Sequence, residues 1–173
     1  MKEILDLFAR YNQTTNKDMY EILAGIEDPD LLSKDTGAYH KSIIGFLNHM
    51  LGSTVMGAKR VIGGFPDVLG DLDGSLPEIS YDNPIETLDA LRDAQAQADG
   101  VMVDIVSRLT NEQCGETVTF TNWRGEEDQK VVYQLLLHTF NHETHHRGGI
   151  AVILDQFGVE NDYSGLMRIP LTQ

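Results

Sequence analysis

A chain of 173 residues with 41% apolar content can bury one sizeable core, and it reads as a single domain over residues 1–173. Its 13 basic and 27 acidic side chains leave a formal charge of −14, which argues against nucleic acid and against anionic membranes as partners. The single cysteine, Cys114, excludes an internal disulfide, and with no apolar leader and no 18-residue apolar run the expectation is a cytoplasmic, membrane-free protein.

Residues 2–26 predict a helix, because Ile4, Leu5, Phe8, Tyr11, Thr15, Met19, Ile22 and Ile26 recur at intervals of three and four. The stripe turns polar at Tyr11, Asn12, Thr15 and Asn16. Polar residues inside a core stripe cost stability unless partnered, so this turn is a candidate to face a site. Residues 27–38, with Pro29 and Gly37, predict a loop. A second helix is expected from about Tyr39 to Ile62, with Ile43, Leu47, Met50, Leu51, Thr54 and Val61 inward and His49 beside that stripe. Residues 63–82 are rich in Gly, Pro and Asp and form a long connection, a lid or a crossover. Asn83-Pro84-Ile85-Glu86 predicts a helix start, with Asn83 as cap, Pro84 in the first turn and Glu86 closing a capping box. That third helix runs to about Leu109. Residues 115–125 alternate as a short strand or hairpin ending near Trp123, which either caps the bundle or lines a pocket. The last helix is expected from about Glu127 to Gln156, before Gly158. Four amphipathic segments of this length predict an all-α four-helix bundle, with a possible short β-hairpin before the last helix.

The last helix carries four of the six histidines, in the stretch LLLHTFNHETHHRGG. His138, His142 and His146 fall at i, i+4 and i+8, so one face stacks three imidazoles. Val131, Leu135, Ile150, Ile153 and Phe157 continue the same face, which points the row toward a core. Buried imidazoles need partners, and a divalent metal supplies one.

Three motifs compete here. His142-Glu143-Thr144-His145-His146 matches H-E-x-x-H, with Glu143 as general base, but Val152 stands where an extended motif places its third ligand. Glu143 also lies about 100° round the helix from the histidine row. Glu143-x-x-His146 matches half of a di-iron bundle motif, and no second copy exists. The third reading is one ion held by His49 and two histidines of the last helix. Spacing does not choose between His138 with His142 and His142 with His146. It does say that one ion will not take all three, since the row spans about 12 Å.

The chain resembles the DinB/YfiT-like family of small metalloenzymes, which shares only a name with the DNA polymerase. The likeness rests on Tyr11-Asn12-x-x-x-Asn16, on Leu47-Asn48-His49-Met50-Leu51, and above all on His138-x-x-Asn141-His142-x-x-x-His146-Arg147-Gly148. The resemblance implies an up-down-down-up bundle, often a homodimer, that binds nickel or zinc. It implies His49, His142 and His146 as ligands, with His138 as a neighbour. Gly149 departs from the pattern, where the family usually has glutamine.

Three neutral imidazoles leave a divalent ion its full charge and open positions, enough to bind a thiol as thiolate or to bring bound water to a pKa near 7. The leading expectation is a metal-dependent transferase that activates a small, low-molecular-weight thiol. The alternatives are a hydrolase using metal-bound hydroxide and a non-catalytic metal-binding stress protein. Asn12, Asn16 and His138 are the candidate residues for orienting ligands or an incoming group. Arg147 is expected in a surface ion pair, or else on a substrate carboxylate.

Overall fold

The computed structural model describes residues 1–80, 82–163 and 165–169. Four long helices dominate them: Lys2–Ala24, Ile43–Gly64, Leu88–Arg108 and Val132–Gln156, here the first, second, third and last helix. An antiparallel hairpin, Thr117–Thr121 with Glu127–Val131, precedes the last helix, with Thr117 opposite Val131 and Thr121 opposite Glu127. Gly125 adopts φ 79° at its tip, a conformation open to glycine at no steric cost.

The core gives the direction of each helix. At one end of the bundle Leu5 and Ala9 meet Val61, Ile62, Ile105, Leu109, Leu136 and Phe140. At the other end Met19 and Leu23 meet Ile43, Leu47, Leu91, Ile150 and Leu154. The first and last helices therefore start at one end, and the second and third start at the other. This is the up-down-down-up order. The second helix packs on the third and the last, and so does the first. Because the second and third helices run parallel, the chain must return the length of the bundle between them. Residues 65–87 do this, through helical turns at Pro66–Leu69 and Gly70–Ser75.

Three helix starts differ from the sequence expectation, each for a local reason. The second helix begins at Ile43, not Tyr39, because Ser42 caps it by accepting from the Gly45 amide at 3.2 Å. The third begins at Leu88, capped by Thr87, and the Asn83-Pro84 signal is overridden. The cause is Asn48 on the second helix. Its side-chain amide donates to the Ile85 carbonyl at 2.8 Å and accepts from the Ile85 amide at 2.9 Å, holding that segment out of a helix. The last helix begins at Val132 because residues 127–131 are spent on the hairpin. The hairpin sits tightly on the second helix: a Cβ at Gly64 would collide with Val118.

Between the two apolar ends lies a buried polar layer of Asn12, Asn16, Thr54, Gln95, Asp99, Thr139, Glu143 and Arg147. The polar turn of the first helix faces this layer. It fixes the height in the bundle at which His49 and the last-helix histidines meet.

Candidate metal centre

His49 is anchored by its neighbours. Leu47, Met50 and Leu51 are almost fully buried, each worth roughly 1.5–3 kcal/mol of apolar transfer, and they set the rotation of that turn. Across from it the row on the last helix grades from exposed His138 through half-buried His142 to buried His146. The His142 Nε2 atom stands 3.0 Å from the Nε2 of His49 and 3.0 Å from the Nε2 of His146. The ring centres of His142 and His146 are 4.3 Å apart, whereas His138 lies 6.0 Å from His142. The fold thus brings His49, His142 and His146 together and leaves His138 one turn along the groove.

A neutral ring nitrogen in this position has either one hydrogen or one lone pair in the ring plane. His142 Nε2 can therefore satisfy one of its two 3.0 Å neighbours, not both. The Nδ1 atoms of His142 and His146 are buried with no hydrogen-bond partner, so nothing behind the rings compensates. A cation between the rings would satisfy all three facing nitrogens. Donors 3.0 Å apart can share an ion to which each bonds at about 2.0–2.1 Å. The donor set, three imidazoles and no carboxylate, suits nickel or zinc better than calcium or magnesium.

Burial also keeps these rings ready to bind. It pushes His142 down to about 4 and His146 to about 3, with neighbouring imidazoles adding to the effect. Burial lowers His49 as well. The rings are neutral at pH 7, the form that ligates a metal.

A fourth histidine was not legible in the sequence. His40 belongs to the loop before the second helix, and its ring centre lies 4.0 Å from that of His49 and 5.1 Å from that of His146. Ligand atoms of His40, His49 and His146 all fall within 4.8 Å of one another, so this trio also forms a group able to hold a metal ion. Gly45 makes the arrangement possible, because a Cβ there would collide with the His40 carbonyl. Next to it Lys41 takes φ 64°, held by bonds between its backbone and those of Thr36 and Ala38. No spacing rule links His40 to the other ligands.

Glu143 turns away from the histidines into the bundle. It is fully buried, accepting from Thr54 Oγ1 at 2.9 Å and from Asn16 Nδ2 at 3.1 Å. A general base must reach the open side of the metal, so the H-E-x-x-H reading fails on its glutamate. Burial, and then Asp99, raise Glu143 to about 7, and burial raises Asp99 to about 6. Asn16 joins the pair, since its amide also donates to Asp99 at 2.9 Å. Arg147 corrects the surface expectation. It is buried, donating to Asn12 Oδ1 at 2.6 Å, Asn16 Oδ1 at 2.9 Å and Thr144 Oγ1 at 3.0 Å. Asn12 completes its amide by donating to the Phe8 carbonyl. Asn12 and Asn16 therefore touch no histidine; they grip the last helix from behind.

The matching family model, described as the DinB family, covers residues 1–166. The chain belongs to the DinB family. No curated protein matches it. Within this DinB-family chain Gly149 has a visible role. A Cβ there would meet the Phe46 ring at 3.0 Å, and Phe46 in turn lies against His146 and His40. The missing side chain makes room for an aromatic wall beside the histidines.

Proposed function

We propose that this DinB-family protein is a metal-dependent transferase that acts on a small thiol at a nickel or zinc ion held by His49, His142 and His146. The observation that carries the reading is the His142 Nε2 atom, 3.0 Å from two other imidazole nitrogens and able to satisfy only one of them. A divalent ion in that position supplies a Lewis acid that favours the thiolate form of a thiol reaching it.

The other parts of the work fall to the chain. Burial holds the three imidazoles neutral and oriented. In this reading His138, exposed one turn along the groove, accepts the proton a thiol gives up; its ring centre 6.0 Å from that of His142 supports the assignment. Asn12 and Asn16 act as positioning residues through Arg147, fixing the last helix in rotation. The inward turn of Glu143 argues against the H-E-x-x-H mechanism, in which a glutamate activates the water; it leaves hydrolysis by metal-bound hydroxide to the test below.

The test is metal analysis of protein purified without chelator, followed by thiol titration of the cobalt-substituted form. A thiolate entering the inner sphere changes the ligand field, and the visible spectrum should shift saturably. The shift should vanish in His142→Ala. An unchanged spectrum in millimolar thiol, together with metal-dependent cleavage of an ester or amide, would replace this reading with the hydrolase.

A further inference from the structure

A cleft of about 230 Å3 leads away from the histidines. His49 and His142 line it, and so do Arg60, Trp123 and His138. Arg60 is eleven residues beyond His49 on the same helix, about 16 Å along its axis, so the two mark opposite ends. The cleft continues into a shallower depression of about 470 Å3, which Arg124 also lines.

The two arginines are held in an uncommon way for so acidic a chain. The Arg60 guanidinium lies 4.7 Å over the Phe120 ring, and that of Arg124 lies 4.7 Å over the Trp123 ring. Among the described residues, neither side chain makes a hydrogen bond or an ion pair. A cation–π contact uses the guanidinium face and leaves the N–H edge unspent. Asp128 lines the same depression, and its Oδ1 takes Lys130 Nζ at 2.6 Å and the Gln129 amide at 2.7 Å, which lower its pKa; Arg60 is close enough to lower it further but makes no ion pair with it. Among the described residues, a chain with 27 acidic side chains thus keeps two arginines at one cleft mouth with the N–H edge of each outside any hydrogen bond or ion pair.

We propose that this cleft is the substrate site, and that it takes a small organic carboxylate whose anionic end is bound by the N–H edge of Arg60. The planar fork of a guanidinium matches a carboxylate, and Arg124 adds positive charge at the mouth. The part of the cleft between the histidines and Arg60 is below the usual 300–1,000 Å3 of drug-sized sites, which fits a short molecule there. Trp123, 79% exposed and in the turn of the hairpin, lines both the cleft and the depression. The proposal rests on the reading of the histidines as the reacting end, with His138 between the two ends.

Trp123 is the only tryptophan, so its fluorescence reports occupancy of the cleft without reference to the metal. The experiment titrates the full chain, metal-loaded and chelator-treated, with 3-mercaptopropionate and with 2-mercaptoethanol. The carboxylate compound should give a saturable change at a concentration at least about tenfold lower than the neutral one. Arg60→Gln should bring the two to within about twofold, and Arg60→Lys should keep part of the preference because it keeps the charge but not the fork. Far-ultraviolet circular dichroism checks that both variants are folded. No saturable change, or equal change with the two compounds, or a preference that survives Arg60→Gln, overturns the proposal. An Arg60-dependent fluorescence change with a silent cobalt spectrum would keep the cleft and remove the thiol reading. A cobalt spectrum that responds equally to both thiols, with no fluorescence preference, would do the reverse.

Discussion

Replacing Glu143 by glutamine keeps the shape of a fully buried side chain and removes its ability to ionise. Two influences oppose each other at this carboxyl group. Burial and Asp99 push its pKa up, while Arg147 Nη1 at 3.9 Å and the donors Thr54 and Asn16 pull it down. Burial wins, giving about 7 against an ordinary 4.5, which corresponds to about 3 kcal/mol at roughly 1.36 kcal/mol per pH unit. The sign follows from proton linkage. The folded protein holds this proton more tightly than the unfolded chain, so the contribution is complete below about pH 4.5 and is lost as pH rises through about 7. Between about pH 5.5 and 8 the wild type should therefore lose about 2 kcal/mol of stability relative to Glu143→Gln. Urea denaturation of both chelator-treated proteins at matched pH measures this, and titrations common to the two cancel in the difference. A difference that stays flat would show that Glu143 has its ordinary pKa. A wild type that gains stability with rising pH would show that Arg147 holds the carboxylate ionised, and the account of the polar layer would be wrong.

His49→Ala, His142→Ala and His146→Ala should each weaken metal binding more than about a hundredfold, and His40→Ala about tenfold, whereas exposed His145→Ala should leave it unchanged; competition against a chromophoric chelator reads all five. Metal should be retained below the pH of about 6.5 at which free imidazole titrates, because burial lowers all three ligands, His142 to about 4 and His146 to about 3; metal content after dialysis across pH 7 to 4 tests this, and loss centred near 6.5 would contradict the burial argument. Asn16→Ala removes a donor from two buried carboxyl groups and an acceptor from Arg147, so it should cost about 3 kcal/mol; a change under about 0.5 kcal/mol in denaturant unfolding would mean that the layer tolerates the gap.

The four helices were legible because their apolar residues repeat at 3.6; of the inward stripe expected on the third helix, Leu88, Leu91, Gln95, Ala98, Met102, Ile105 and Leu109, all are buried except Leu88, which is half-buried at the helix start. Helix starts were less legible. The cap signal at Asn83 is locally strong, and only a side chain from another helix, Asn48, overrules it. The histidine row was visible, yet two of its pairs share one spacing, and only the meeting with His49 distinguishes them. Arg147 looked like a surface residue because its partners Asn12 and Asn16 lie more than 130 residues away in sequence. His40 was hidden for a different reason. Its place depends on a loop conformation at Lys41 and on the bare backbone of Gly45, neither of which has a periodic signature.

The clamp between Asn48 and Ile85 also sets how the crossover opens. Ile85 lies in an irregular stretch, where amide protons ordinarily exchange with solvent freely. Its proton is instead given to a side chain rooted in the second helix, one residue before His49. Exchange at Ile85 then requires the release of that side chain, which ties the crossover to the helix as one opening unit. An isotope label at Ile85 would thus act as a remote gauge of the turn that carries His49. A ligand that steadies this turn should slow exchange there without touching Ile85 at all.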